Sequence, residues 1–220
     1  MRHFDEIYDI AAKRKGGAAA IEAQLERPKS TAEICAIPET AWLTTFARGI
    51  MAVGLNWKVI ETKWPGMLEA FKGFDVDACA MMSEDWFDEL ISDRRIIRHG
   101  AKIQSIRDNA VFLTELRSQG GASQVFATWP REDFAGLLAL LKKDGSRLGG
   151  NTGAYCLRHM GIDSYILTRD VTGRLIAEGV VDKAPSSKRA MAAVQEAFDI
   201  WAAQSGRSFT EISRVLAFSV

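Results

Sequence analysis

Two helices joined by a glycine-rich corner are the feature that most restricts how this chain can fold. Residues 134–141 carry apolar side chains at i, i+3, i+4 and i+7, which predicts an amphipathic helix. Residues 151–160 predict a second helix, which Gly161 ends. Between them, Gly149 and Gly150 allow the chain to reverse within a few residues. The pattern therefore predicts two helices that meet across a tight hairpin.

The corner has the composition of an anion-binding turn. Backbone amides at a helix start have no partner within the helix, and the helix dipole adds partial positive charge there. Gly149, Gly150 and Asn151 place such amides at the corner, and Asn151 or Thr152 can cap the helix. With Arg147 beside them, these amides suit a phosphate oxygen. The simpler interpretation, that the glycines only permit a turn between packed helices, stays open.

An acidic residue, Asp170, follows the hairpin after an extended segment. It stands twenty residues beyond Gly150, at the predicted N-cap of a helix through residues 171–177. Aspartate is a common cap and contributes about 1 kcal/mol to its helix in that position. The alternative is a carboxylate that is available for chemistry.

Composition excludes several classes of protein. The 220 residues are 47% hydrophobic and 25% charged with five prolines, which excludes a disordered chain, and no apolar run approaches a membrane span. The first ten residues lack the apolar centre of a signal peptide. Three widely separated cysteines and three histidines without ligand spacing give little support to a metal site. We therefore expect a globular protein of the cytoplasm, without a metal.

Basic residues form two local groups although the net charge is zero. The first group is Arg94, Arg95, Arg98, His99, Lys102 and Arg107, and the second is Lys142, Lys143, Arg147 and Arg158. Such groups can neutralise nucleic-acid phosphates, although a solvated surface turn explains the first group equally well.

Helical signals extend along almost the whole chain, and no pair of alternating strands appears. Capping residues are expected at Ser30, Asp75, Ser83 and Ser208. The predicted helices outside the hairpin include 3–14, 17–26, 57–63, 66–72, 76–81, 84–92, 99–118 and one from residue 187. The sequence therefore predicts an all-α fold.

Three segments resemble the 3-methyladenine DNA glycosylase I family of the helix-hairpin-helix DNA glycosylases. Residues 54–57, Gly-Leu-Asn-Trp, are similar to the family's Gly-Leu-Ser-Trp. Residues 90–106 look like the family segment that has two isoleucines, Arg, His and a Lys-Ile-Gln run. The hairpin and residues 166–171 resemble the superfamily's hairpin and the aspartate that follows it. Together the matches cover roughly residues 45–182.

The resemblance implies a fold and a division of the chain. The fold is the all-α, two-lobed helix-hairpin-helix DNA glycosylase fold with a central cleft. Residues 46–169 would form the lobe that contains the hairpin, while residues 1–45 and 170–220 would form the other lobe.

The resemblance also implies a function. We expect a monomeric, monofunctional DNA glycosylase that needs no cofactor and hydrolyses the N-glycosidic bond of a damaged, above all alkylated, base in double-stranded DNA. Asp170 would stabilise the sugar's positive charge as the base leaves. The expected base pocket is Trp57, Asn56, Gly49 and Tyr155, although a helix-packing role explains Tyr155 equally well. The expected DNA contacts are Arg147, Gly149, Gly150, Asn151, Thr152, Arg98 and Lys102.

Departures from the family keep other functions open. The family's base-recognising glutamate would stand at Gly49, and its zinc ligands are absent. The hairpin also lacks the lysine of bifunctional relatives, which argues against lyase chemistry. The missing glutamate favours two alternatives: a helix-hairpin-helix protein that binds DNA without catalysis, or a glycosylase for a different lesion.

Overall fold

The computed structural model describes all residues, 1–220, and contains no β-strand, so the predicted all-α class is confirmed. None of its helices has the length and apolar character that a membrane crossing requires. The helices are α1 (Phe4–Lys15), α2 (Ala18–Glu22), α3 (Thr31–Cys35), α4 (Glu39–Ala52), α5 (Trp57–Ala70), α6 (Val76–Ala80), α7 (Glu84–Ser92), α8 (Gly100–Leu116), α9 (Ala122–Thr128), α10 (Phe134–Lys143), α11 (Asn151–Met160), α12 (Arg169–Ala177), α13 (Lys188–Ser205) and α14 (Phe209–Phe218).

Local capping chemistry begins these helices where the sequence predicts. Ser30 and Ser208 form reciprocal capping boxes with the glutamate three residues later, and Ser83 accepts a hydrogen bond from the first turn of α7. Asp75 accepts a hydrogen bond from the Ala78 amide at 2.8 Å. These four predicted caps are confirmed.

Three predictions about helix boundaries were wrong, and one of them is the helix over 17–26, which ends at Glu22 as α2. Residues 57–63 and 66–72 do not form separate helices, because α5 continues through Pro65. Burial of Ile60, Trp64 and Met67 on one face of α5 outweighs the hydrogen bond that a proline removes. The predicted N-cap at Asp170 was also wrong and is corrected below.

The chain divides into two compact units. The first, which we call the hairpin unit, consists of residues 30–129 and 138–160. Its central helix is α8, which packs against α4, α6, α7 and α9 and buries Ile103, Ile106 and Leu113. The buried aromatic residues Trp42, Phe46 and Phe126 fill the adjoining core.

The second unit consists of residues 1–29, 130–137 and 161–220. An aromatic cluster fills its core, where Tyr165 lies 4.5 Å from Phe198 and 4.8 Å from Phe134 between ring centroids. The domain boundaries drawn from the sequence, at residues 45 and 169, stay a prediction.

A buried ion network joins both chain termini to α12 in the second unit. The Glu178 carboxylate accepts hydrogen bonds from the Arg2 amide at 2.9 Å, from the Arg2 guanidinium at 2.7 Å and from Arg174 at 3.1 Å. Arg174 also donates to the Ser219 hydroxyl at 2.7 Å. Burial alone would raise the pKa of Glu178, but the hydrogen bonds from Arg2 and Arg174 outweigh it and lower the pKa.

We expect Glu178→Gln to lower the free energy of unfolding by about 3 kcal/mol at neutral pH, because it leaves buried arginine without a full counter-charge. A carboxyl whose pKa is lowered on folding stabilises the fold above its unfolded pKa, and that contribution is lost as the pH falls through the folded pKa. Urea denaturation at pH values from 7 down to 3 should therefore show that the free energy of unfolding falls less with decreasing pH in the variant than in the unaltered protein. Glu84→Gln is the control, because Glu84 is exposed. If the free energy of unfolding depends on pH equally in Glu178→Gln and in the unaltered protein, the lowered pKa does not belong to Glu178.

Candidate functional site

The hairpin between α10 and α11 is a tight turn that its glycines make possible. Gly150 has a φ of +61°, and a Cβ on Gly153 would lie 2.3 Å from the Leu148 carbonyl oxygen. The Gly153 amide donates to that same oxygen at 3.1 Å. Glycine at these two positions therefore lets the first turn of α11 pack closely against Leu148, just before the helix.

A buried asparagine fixes the hairpin to the central helix of its unit. Asn109 on α8 is fully buried, and its side chain bonds both the amide and the carbonyl of Ser146 at 2.9 Å. Two bonds to one backbone unit hold the entry to the hairpin in a single register. Sequence reasoning missed Asn109, and the only signal was a lone amide on the apolar face of α8.

The predicted phosphate-binding residues occupy one exposed corner. Gly150 and Asn151 are exposed, Gly149 and Thr152 are half-buried, and α11 begins at Asn151. Arg147 is exposed, has a φ of +59°, and donates from Nε to the Ala101 carbonyl at 3.2 Å. The hairpin therefore presents the start of a ten-residue helix beside a guanidinium group.

The loop between α4 and α5 presents an exposed tryptophan. Trp57 is the first residue of α5 and is 54% exposed, beside exposed Val53 and Leu55. The Asn56 side chain caps α5 by accepting a hydrogen bond from the Lys58 amide at 2.9 Å. This cap accounts for Asn56 structurally, whereas nothing covers most of the Trp57 indole.

A column of stacked groups leads from Trp57 into the core. The Arg48 guanidinium lies 5.1 Å from the ring centroids of both Trp57 and Trp64. Trp64 stacks on Phe74 at 5.5 Å, and Phe74 stacks on Phe71 at 5.3 Å. Sequence reasoning missed Arg48, although its place beside Gly49 and nine residues before Trp57 was the available signal.

Gly49 permits close contact between α4 and α11. A Cβ on Gly49 would lie 2.7 Å from Cys156 Sγ, closer than non-bonded atoms approach. Cys156 is buried and donates to the Thr45 carbonyl at 3.5 Å, and burial raises the pKa of its thiol to about 12. A side chain as large as glutamate therefore has no room at Gly49 while Cys156 keeps this conformation.

We expect Gly49→Ala to destabilise the protein by about 1–2 kcal/mol, because the cost of overpacking against Cys156 exceeds the gain from alanine's higher helix propensity. In a Cys156→Ala background the same change should become neutral or stabilising, because Sγ is gone. Urea denaturation of the four proteins of this double-mutant cycle measures the coupling. Additive effects of the two substitutions would mean that the contact does not limit position 49.

The two predicted DNA contacts near α8 differ in their surroundings. Arg98 is exposed, just before α8. Lys102 is buried, and its ammonium donates to the Met51 carbonyl at 3.0 Å and the Val53 carbonyl at 2.6 Å. Burial lowers the pKa of Lys102, and the charge of Arg147 lowers it further. Through these two bonds Lys102 holds the C-terminal end of α4 and the beginning of the loop between α4 and α5.

We expect Lys102→Met to cost about 2 kcal/mol of stability, because two carbonyl oxygens lose their donor. A lysine whose pKa falls on folding binds fewer protons in the folded state, so this group makes stability rise with pH towards its unfolded pKa. The variant should lose that rise, and hydrogen exchange should accelerate in residues 53–57. Lys58→Met, at an exposed lysine of the same region, is the control. Unchanged exchange in residues 53–57 would argue against this anchoring role.

Tyr155 and Asp170 complete the predicted set. Tyr155 lies on α11 in the hairpin unit and is about half exposed. Asp170 lies in the second unit as the second residue of α12, is exposed, and accepts no hydrogen bond. The N-cap is Thr168, whose Oγ1 accepts from the Val171 amide at 3.2 Å. Because α12 begins two residues earlier than expected, Asp170 does not have the capping role that its position had suggested.

Comparisons with known proteins agree with the family recognised from the sequence. Residues 44–133 match the model of the methyladenine glycosylase family, which confirms that resemblance over a segment containing Gly49, Trp57, Arg98 and Lys102. No curated protein matches the chain significantly.

Two solved structures also resemble this chain. One is a tyrosine-to-phenylalanine variant of 3-methyladenine DNA glycosylase I in complex with 3-methyladenine; it is 22% identical, with a TM-score of 0.51 over 57% of this chain and 78% of its own. A second 3-methyladenine DNA glycosylase I structure is 23% identical, with a TM-score of 0.46 over 63% of this chain and 81% of its own. The first likeness shows, over 57% of this chain, the all-α glycosylase-like fold that was predicted.

Proposed function

We propose that this chain, whose residues 44–133 match the methyladenine glycosylase family model, is a monofunctional DNA glycosylase that releases an alkylated base from double-stranded DNA. The observation that carries the proposal is the exposed Trp57 at the start of α5, inside the matched segment. A glycosylase must extrude its target base and recover the unstacking energy in a pocket. An exposed, preoriented indole supplies a stacking surface for that base.

The hairpin supplies the proposed DNA grip. The start of α11 offers backbone amides and the positive end of a helix dipole to one phosphate, and Arg147 adds a charge. Arg98 is a second exposed cation in the same unit. Lys102 is left out of this proposed contact set because its ammonium already serves two carbonyl groups.

Asp170 is the proposed catalytic carboxylate. As the base departs, positive charge develops on the sugar, and an ionised carboxylate stabilises it and helps to orient the attacking water. Asp170 suits this role because it is exposed and accepts no hydrogen bond, whereas Thr168 caps the helix. A cationic alkylated base is already a good leaving group, so a site without the family's glutamate can still release it.

We expect Asp170→Asn to lower single-turnover base release from a methylated duplex about 100-fold or more, because electrostatic stabilisation of the transition state is lost. Duplex affinity should stay within about threefold, since the phosphate contacts remain. Asp85→Asn is a matched control, because Asp85 is also an exposed second residue of its helix and follows a serine cap. Full activity of Asp170→Asn would exclude Asp170 from catalysis.

A DNA-binding protein without catalysis is the second candidate function. The close contact of Gly49 with Cys156 favours it, because no carboxylate stands at the position of the family's glutamate. The same hairpin would then hold DNA, and Asp170 would be dispensable. Assaying the unaltered protein on duplexes with alkylated, deaminated and oxidised bases separates the two: duplex binding with no release of any base supports the second candidate.

A further inference from the structure

We propose that Arg48 is the positioning residue that holds the Trp57 indole in its stacking orientation, with Glu61 as its counter-ion. The inference rests on the proposed function in one respect only, that Trp57 receives the extruded base. It adds two residues from outside the predicted site, and one of them is acidic.

The first step is the geometry of the guanidinium. Arg48 on α4 lies 5.1 Å from the ring centroids of two tryptophans that are seven residues apart on α5. Seven residues are two helical turns, so Trp57 and Trp64 lie on one face of α5 with room for one planar group between them. The guanidinium takes that place and contacts the inner side of the exposed indole.

The second step is the counter-ion. Glu61 lies four residues after Trp57, on the same face of α5, and pairs with the Arg48 guanidinium through Oε1 and Nη2. The pairing orients the plane of the guanidinium and offsets its charge. Arg48 and Glu61 together therefore brace Trp57 from helices α4 and α5.

The third step is an unsatisfied atom. Arg48 Nε is buried and has no hydrogen-bond partner. Leaving such a donor unpaired is unfavourable for stability, so stability alone does not account for an arginine at this position. Methionine would fill the same space without an unpaired donor, but it would lack the attraction to both indoles.

Trp57 needs such a brace because more than half of its surface is exposed. Trp64, by contrast, is buried and stacked on Phe74. Arg48 contacts both rings, so it links Trp57 to the fixed ring of Trp64. Without Arg48, the Trp57 side chain would sample several rotamers. A preoriented indole loses less conformational freedom when it receives a base.

The test combines a spectroscopic measurement with kinetics. The protein is labelled with 5-fluorotryptophan, and the Trp57 resonance among six is identified by its loss in Trp57→Phe. The ¹⁹F spectrum is then compared for the unaltered protein, Arg48→Met, Arg48→Lys, Glu61→Gln and Arg214→Met. Arg214 is the matched control because it also lies over an aromatic ring, that of Phe218, in the second unit.

We expect Arg48→Met to shift and broaden the Trp57 resonance, with Arg48→Lys and Glu61→Gln intermediate and Arg214→Met without effect. The KM for base release from a methylated duplex should rise about tenfold in Arg48→Met, because an unbraced indole must be ordered when the base binds, with kcat within about twofold. The thermal midpoint should change little, because the unpaired donor is removed together with the contacts.

Two results would overturn the inference: an unchanged Trp57 resonance in Arg48→Met, or a changed resonance with an unchanged KM in an active protein. If the unaltered protein releases no base from any duplex, the proposed function fails. The resonance then decides the bracing role of Arg48 by itself.

Discussion

The close contact between α4 and α11 at Gly49 is the constraint on which the candidate surface depends. Only a residue without a side chain lets Cys156 approach the α4 backbone this closely. The contact packs α11 directly against α4, and it therefore also fixes the hairpin that precedes α11. Because Arg48 precedes Gly49 on the same helix, the residue that braces Trp57 is fixed by the same contact that positions the hairpin.

This contact gives a physical account of the missing glutamate. A side chain at position 49 would force the Cys156 side chain to move and would disturb its hydrogen bond to the Thr45 carbonyl. Glutamate at position 49 therefore conflicts with the present packing of Cys156.

The sequence was sufficient for features that depend on local chemistry. Serine and aspartate caps, the all-α class and the hairpin follow from spacing and capping preferences that act within a few residues. α5 was split wrongly at Pro65 because the burial of Trp64 and Met67, which keeps it continuous, comes from distant parts of the chain. The shift of the N-cap from Asp170 to Thr168 is local but ambiguous, because both residue types cap well.

The parts of the site that the sequence did not reveal are polar groups used internally. Lys102 reads as a member of a basic group, yet its ammonium holds the end of α4. Asn109 reads as an interruption of an apolar helix face, yet it fixes the hairpin entry. Both depend on which backbone N–H and C=O groups the fold leaves without backbone partners, and that is determined only once helices distant in sequence have packed.

The ion pair between Arg48 and Glu61 affects which bases can stack on Trp57. An unpaired arginine behind the indole would oppose a cationic base on the outer face, because like charges on opposite sides of one ring repel, and more strongly near protein than in water. Glu61 pairs with Arg48 and leaves no net charge on the inner side of the indole. The indole then keeps the negative face that attracts a cation, and a positively charged alkylated base remains compatible with the braced platform.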